Sequence, residues 1–168
     1  MNLERIDAGM LAKMFLAGAR NLESQKEYIN ELNVFPVPDG DTGTNMTMTI
    51  LSAAGEVSAL ENPDMASLSK AISSGSLRGA RGNSGVILSQ FIRGMAESLQ
   101  TKIQVTIDDF LAAMMGGSKR AYKSVSKPVE GTMLTVMREA AEHAQAKRSR
   151  YTDFESCFDT IVTEMKIS

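Results

Sequence analysis

Asp39 and Asp41 flank Gly40 in the stretch NVFPVPDGDTGTNM, residues 33–46. On a strand, carboxylates spaced this way point to opposite faces. In a glycine-bent loop they can converge, and a pair of carboxylates beside a helix N-terminus suits a hard cation and the phosphates it carries. Pro36 and Pro38 keep this stretch out of a helix and push Phe35 and Val37 toward extended geometry. Gly43 lets the backbone turn before a helix begins near Thr44 or Asn45. Thr42, Gly43, Thr44 and Asn45 can then turn backbone N–H groups and short polar side chains toward phosphate. An ordinary surface turn uses the same residue types. It accounts poorly for Val34, Phe35 and Val37, which read as apolar anchors.

A second glycine-rich passage, GSLRGARGNSG, spans residues 75–85. Asn83, Ser84 and Gly85 end it at the start of a helix, where unpaired N–H groups point outward and can hold a second phosphate region. Ser84 either caps that helix or hands its hydroxyl to a phosphate, and an ordinary capped start explains the same residues. A third loop, SKPVEG, covers residues 126–131.

Other chemistry finds little support. His143, the single histidine, reads as solvent-facing, and Cys157, the single cysteine, as core filler. No Ser-His-Asp arrangement, GxSxG elbow, HExxH pair, dinucleotide fingerprint or GxxxxGK[ST] loop is present. The KRSR run at residues 147–150 reads as a solvated link. What remains is oxygen chemistry: a cation held by carboxylates and donors for phosphate oxygens, which is most of what phosphoryl transfer needs.

The elements that position these residues read as helices. Apolar residues recur at helical spacing over 3–31, 45–60, 65–74 and 86–99, then from about residue 106 toward Tyr122, from Thr132 onward, and over 152–165. The expectation is seven helices and no convincing strand, packed as one bundle with the polar loops gathered near one end. Whether the fifth of these helices continues through Gly116 and Gly117 is left open. The 168 residues suffice for one domain with a core, and a net charge of −2 gives no support for nucleic-acid binding. No apolar run reaches the length of a membrane span, no signal peptide is recognisable, and cysteine usage suits a cytoplasmic protein.

Three motifs in order, NVFPVPDGDTGTNM, GSLRGARGNSGVILSQFIRG and KPVEGTMLTVMREAA, resemble the DhaL, or DAK2, domain. More narrowly, they resemble the N-terminal kinase domain of bacterial fatty acid kinase, also described as dihydroxyacetone-kinase-like. The resemblance covers most of the chain. It implies an all-α antiparallel helical barrel of eight helices, against seven counted here. ATP or ADP would sit at one end, with two Mg²⁺ ions bridging its phosphates to acidic residues. By position, Asp39 and Asp41 would be the metal ligands, with Asn33 as a weaker third. Thr42 to Asn45 would embrace the phosphates, Met46 would support the nucleotide, and Asn83, Ser84 and Gly85 would form the second phosphate loop. Thr132 and Met133 would line the adenine pocket; no side chain is assigned as a general base.

The family's last helix and late glycine motif are not found before Ser168, so residues 1–168 are expected to be a single DhaL-like domain shortened at its C-terminus. The exposed seam this would leave invites a homodimer. The function implied is Mg-ATP-dependent phosphorylation of a fatty acid carboxylate presented by a DegV-type fatty-acid-binding protein. The alternatives are an ADP-binding subunit of dihydroxyacetone kinase and a non-catalytic nucleotide-binding or scaffold protein.

Overall fold

The computed structural model describes residues 3–34 and 39–168; Phe35, Pro36, Val37 and Pro38, to which the sequence assigns the rigid extended stretch, lie outside the described residues. The chain runs β1 (Arg5–Asp7), α1 (Ala8–Ser24), α2 (Lys26–Leu32), α3 (Thr42–Ser58), α4 (Met65–Gly79), α5 (Gly82–Leu99), β2 (Gln104–Thr106), α6 (Ile107–Lys123), α7 (Met133–Ala146) and α8 (Phe154–Ile167), with a 3₁₀ turn at Arg148–Arg150.

Eight α-helices are therefore found among the described residues, which corrects the expectation of seven, and the shortfall against the family's eight does not stand. The extra helix comes from the first predicted one. Its apolar stripe ends at Leu22, and residues 23–27 are all polar, so no packing requires a straight helix there. At Gln25 the backbone leaves helical geometry (φ −98°, ψ 1°), and α2 starts afresh with no buried residue of its own.

The beginning of the chain is a second correction. Residues 5–7 are not helical. They pair antiparallel with residues 104–106, Ile6 opposite Val105, and both side chains are buried. This ribbon feeds straight into α1 and α6. Asp7 caps α1 by accepting the Met10 N–H (2.8 Å), and Thr106 caps α6 in a reciprocal box with Asp109.

The core is built from the apolar stripes, with α5 and α6 as its closest pair. A Cβ on Gly94 would lie 2.7 Å from the Gly117 Cα, so two glycines let these backbones meet and α6 runs unbroken past Gly116 and Gly117. Phe110, Phe154 and Phe158 form a mutual ring cluster with centroids 5.2–6.0 Å apart, fixing α8 against α6. Cys157 is fully buried in this core, as its neighbours suggested. A smaller cluster forms around Ala121, Leu134 and Met137, with Ile87, Leu88, Phe91, Tyr122 and Met133 at its edge. Among the described residues no helix is long and apolar enough to cross a membrane.

The starts of α1, α4, α6 and α8 lie at one end of the bundle. Asp7 and Asp64 border the same cavity as Gln100 and Lys102, and the Phe154 N–H donates to the Leu3 carbonyl (2.7 Å). The three polar loops lead into α3, α5 and α7 at the opposite end.

Candidate functional site

An α-helix begins with N–H groups that lack intrahelical acceptors, and a side chain at the N-cap usually takes one of them. At the strand-bearing end this rule is followed throughout. Asp7, Asp64, Thr106 and Asp153 each cap their own helix, the last three in reciprocal boxes. At the other end α3, α5 and α7 start at Asp41, Arg81 and Thr132, none of which makes a side-chain capping bond. Helix starts are thus capped by their own N-cap side chains on one side of the molecule and not on the other.

The α3 start explains how an uncapped helix is held. Gly40 takes a left-handed turn (φ 66°) between the exposed residues Asp39 and Asp41. The capping work falls to α2. Asn33 Oδ1 accepts the N–H of Asp41 (3.1 Å) and of Thr42 (3.2 Å). Asn30 Oδ1 accepts the Thr44 N–H (3.0 Å), while its amide nitrogen donates to Thr44 Oγ1 (2.9 Å). Gly43 is buried against the Lys26 carbonyl and Asn30, where a Cβ would collide. Because two amides borrowed from α2 hold the helix start, the Asp41 carboxylate is not occupied as a cap. The Asn33 amide oxygen, offered by the family resemblance as a weak metal ligand, here faces the α3 backbone.

The second loop is docked on α3. The Arg81 N–H reaches Thr49 Oγ1 (3.3 Å), and that hydroxyl donates to the Asn45 carbonyl (2.7 Å). Gly82 has φ 64°, and a Cβ there would lie 2.5 Å from Asn45 Nδ2; a Cβ on Gly85 would lie equally close to Thr49 Oγ1. Asn83 is exposed, and Ser84 sits half-buried inside the first turn of α5 rather than capping it.

The third loop lies beyond α5. Thr132 Oγ1 donates to the Val129 carbonyl (2.7 Å), and half-buried Met133 packs at the edge of the cluster that also holds Ile87 and Leu88 of α5. Glu130 fastens this loop, accepting from Tyr122 (3.0 Å), Thr135 (2.8 Å) and Arg138 (2.9 Å), and these donors hold its carboxyl below the usual range, Thr135 most strongly. Met46 is half-buried on the first turns of α3. The structure thus brings Thr42–Asn45 and Asn83–Gly85 together on adjoining helix starts, with Thr132 and Met133 on the far side of α5.

Two of these residues carried no sequence signal. Asn30 looks like an ordinary polar residue near a helix end, and Thr49, fully buried, sits in a helical stripe. Val34, expected as an anchor, is exposed. His143 is half-exposed, but its Nδ1 lies 3.0 Å from Glu164 Oε2. The KRSR run is engaged rather than merely solvated: Lys147 pairs with Glu164, and Arg148 Nε donates to Asp108 (2.6 Å).

Among the described residues no group of three or more His, Cys, Asp or Glu side chains could hold a metal. Among the described residues a protein-only cage is therefore not formed. The pair Asp39 and Asp41 fits a different use, since Mg²⁺ commonly takes one or two carboxylates and completes its shell with phosphate oxygens and water.

A DAK2 domain matches residues 36–168 of this chain. Protein YloV of Bacillus subtilis is 44% identical over 168 residues, covering 100% of this chain and 30% of that protein. An uncharacterised protein of Staphylococcus saprophyticus is 42% identical over 166 residues, and one of Staphylococcus aureus 40% identical over 162. The chain spans about 30% of the length of each of these relatives. With the match over residues 36–168, the chain belongs to the DAK2 domain family.

Proposed function

We propose that this chain is a Mg²⁺-dependent adenine-nucleotide-binding domain, with the phosphates at the uncapped end of the bundle. The observation that carries this reading is the start of α3, where Asn30 and Asn33 satisfy the helix while Asp41 makes no capping bond. Asp39 and Asp41 would hold the cation, which would neutralise phosphate charge. Because Asn30 and Asn33 already accept the Thr42 and Thr44 N–H groups, the donors to phosphate would be the Thr42 and Thr44 hydroxyls, the Asn45 amide, and Asn83 and Ser84, and Thr132 and Met133 would flank the base, Met133 offering a polarizable apolar surface.

Calorimetric titration with ATP and ADP, in Mg²⁺ and again in EDTA, tests it. Binding that requires Mg²⁺ is the expected result. A folded sample that binds neither nucleotide sinks the reading.

The enzymatic extension is phosphoryl transfer to a carboxylate acceptor, an acyl chain presented by a separate DegV-type lipid-binding protein. The family resemblance and the wording PVPDGDTGTN support it. Such an acceptor is already ionised, so no general base is required from this chain. Transfer to a small ketose is the corresponding dihydroxyacetone-kinase reading. Acyl phosphate formed only when lipid-loaded partner is added would support the first. Nucleotide binding without turnover under those conditions would leave a non-catalytic nucleotide-binding domain.

A further inference from the structure

The stretch GSLRGARGNSG, which the structure forms as the end of α4, a two-residue link and the start of α5, carries two arginines in different surroundings. Arg78 is ion-paired with Glu56 across α4 and α3. Arg81 has an exposed side chain with no carboxylate partner among the described residues, where its guanidinium makes one bond, to the carbonyl of adjacent Ala80 (3.1 Å). Its backbone is fixed, because the Arg81 N–H is held by Thr49 Oγ1 and the following Gly82 is wedged against Asn45. A free cation on an anchored backbone therefore stands at the N-cap of α5, against the helix whose start bears Asp41.

We propose that Arg81 binds the terminal phosphate of the bound nucleotide and so sets a preference for ATP over ADP. This rests on the nucleotide-binding reading above. Two carboxylates, Asp39 and Asp41, offset much of a divalent cation's charge, so the phosphates still need positive charge from the protein. Gly43 and Gly85, on the two helix starts, are buried, whereas Arg81 is exposed at the rim. Inner phosphates would meet the Thr42 and Thr44 hydroxyls and the Asn83 and Ser84 N–H groups, and the outermost one the guanidinium. The planar fork of arginine can meet two oxygens of one phosphate, and a single exposed bond to a neighbouring carbonyl is easily exchanged for that pair.

The test is calorimetry of the whole chain, unmodified, as Arg81→Gln and as Arg81→Lys, with Mg–ATP and Mg–ADP. Thermal melts serve as the folding control, and the exposed side chain predicts that they coincide. The expected result is a roughly tenfold loss of ATP affinity in Arg81→Gln with ADP affinity nearly unchanged, and an intermediate loss in Arg81→Lys, which keeps the charge but not the fork. An unchanged ratio of ATP to ADP affinity in Arg81→Gln overturns the proposal, whether both affinities hold or both fall, and leaves the nucleotide reading intact. Failure of the unmodified chain to bind either nucleotide removes that reading and the proposal with it.

Discussion

At the scale of single residues, Asp41 and Asn33 have exchanged the roles their types suggest. Aspartate is a preferred N-cap, and here it occupies the cap position without capping, while the asparagine that ends α2 accepts the N–H groups instead. Two outcomes follow. Asp41→Asn should abolish Mg²⁺-dependent nucleotide binding and change stability by less than about 0.5 kcal/mol, because it removes no intramolecular bond. Asn33→Ala should instead cost about 1 kcal/mol of stability through the two lost acceptor contacts. Denaturant unfolding of both variants, beside calorimetry, checks the pair. An Asp41→Asn protein that fails to fold would make the carboxylate structural and undo its assignment as a metal ligand. Cys157 is a simpler case: burial pushes its thiol up to about 11, so it should resist thiol reagents at neutral pH until the chain is unfolded. Rapid labelling of the native protein would contradict its place in the core.

At the scale of elements, helices were legible where an apolar stripe met a tertiary surface, as in α5 and α8. They were illegible where geometry came from contacts distant in sequence. Nothing near Gln25 breaks a helix; the division appears because α2 packs across the start of α3. Likewise, Arg5–Asp7 becomes a strand only because Gln104–Thr106 lies beside it, nearly a hundred residues on. The same applies to the candidate site. Asp39, Asp41 and the glycine loops were recognisable by residue type, whereas Asn30, Thr49 and the Glu130 fastening depend on how helices cross.

The pairing of α7 with α8 was also hidden, and it makes a prediction. Glu164 is 5% exposed, and its carboxyl is held below its ordinary value of 4.5, first by Lys147 and then by His143. Its contribution is fully present above 4.5 and is lost as the pH falls through the lower folded value. Lys147→Met should therefore loosen α8 at neutral pH, seen as faster amide exchange in its last turns, and should weaken the acid dependence of that exchange. Unaltered exchange in α8 would mean that the aromatic cluster alone secures it.

At the scale of the whole molecule, helix starts capped by their own side chains and helix starts without such caps occupy opposite ends of one bundle. The strand-bearing end closes its helix starts with its own carboxylates and hydroxyls, and the other end leaves three starts without such caps. Asp64, Asp109 and Asp153 all belong to capping boxes at the closed end, and in each the carboxyl lies below its ordinary 3.8, chiefly because it is bonded within its box. A depressed folded value stabilises the fold above the unfolded value of 3.8, and this is lost as the pH falls through the folded value. Acid should therefore weaken the capping boxes of the strand-bearing end as the pH falls below about 3.8. Asparagine caps a helix about as well as aspartate but does not titrate in this range. The double substitution Asp64→Asn, Asp153→Asn should consequently leave neutral stability nearly unchanged and flatten the fall in denaturant midpoint between about pH 5 and pH 2. A double variant that follows the parent curve over that range would show that acid acts elsewhere, and a large loss at neutral pH would show that the carboxylates act through their charge on the helix ends rather than as hydrogen-bond acceptors.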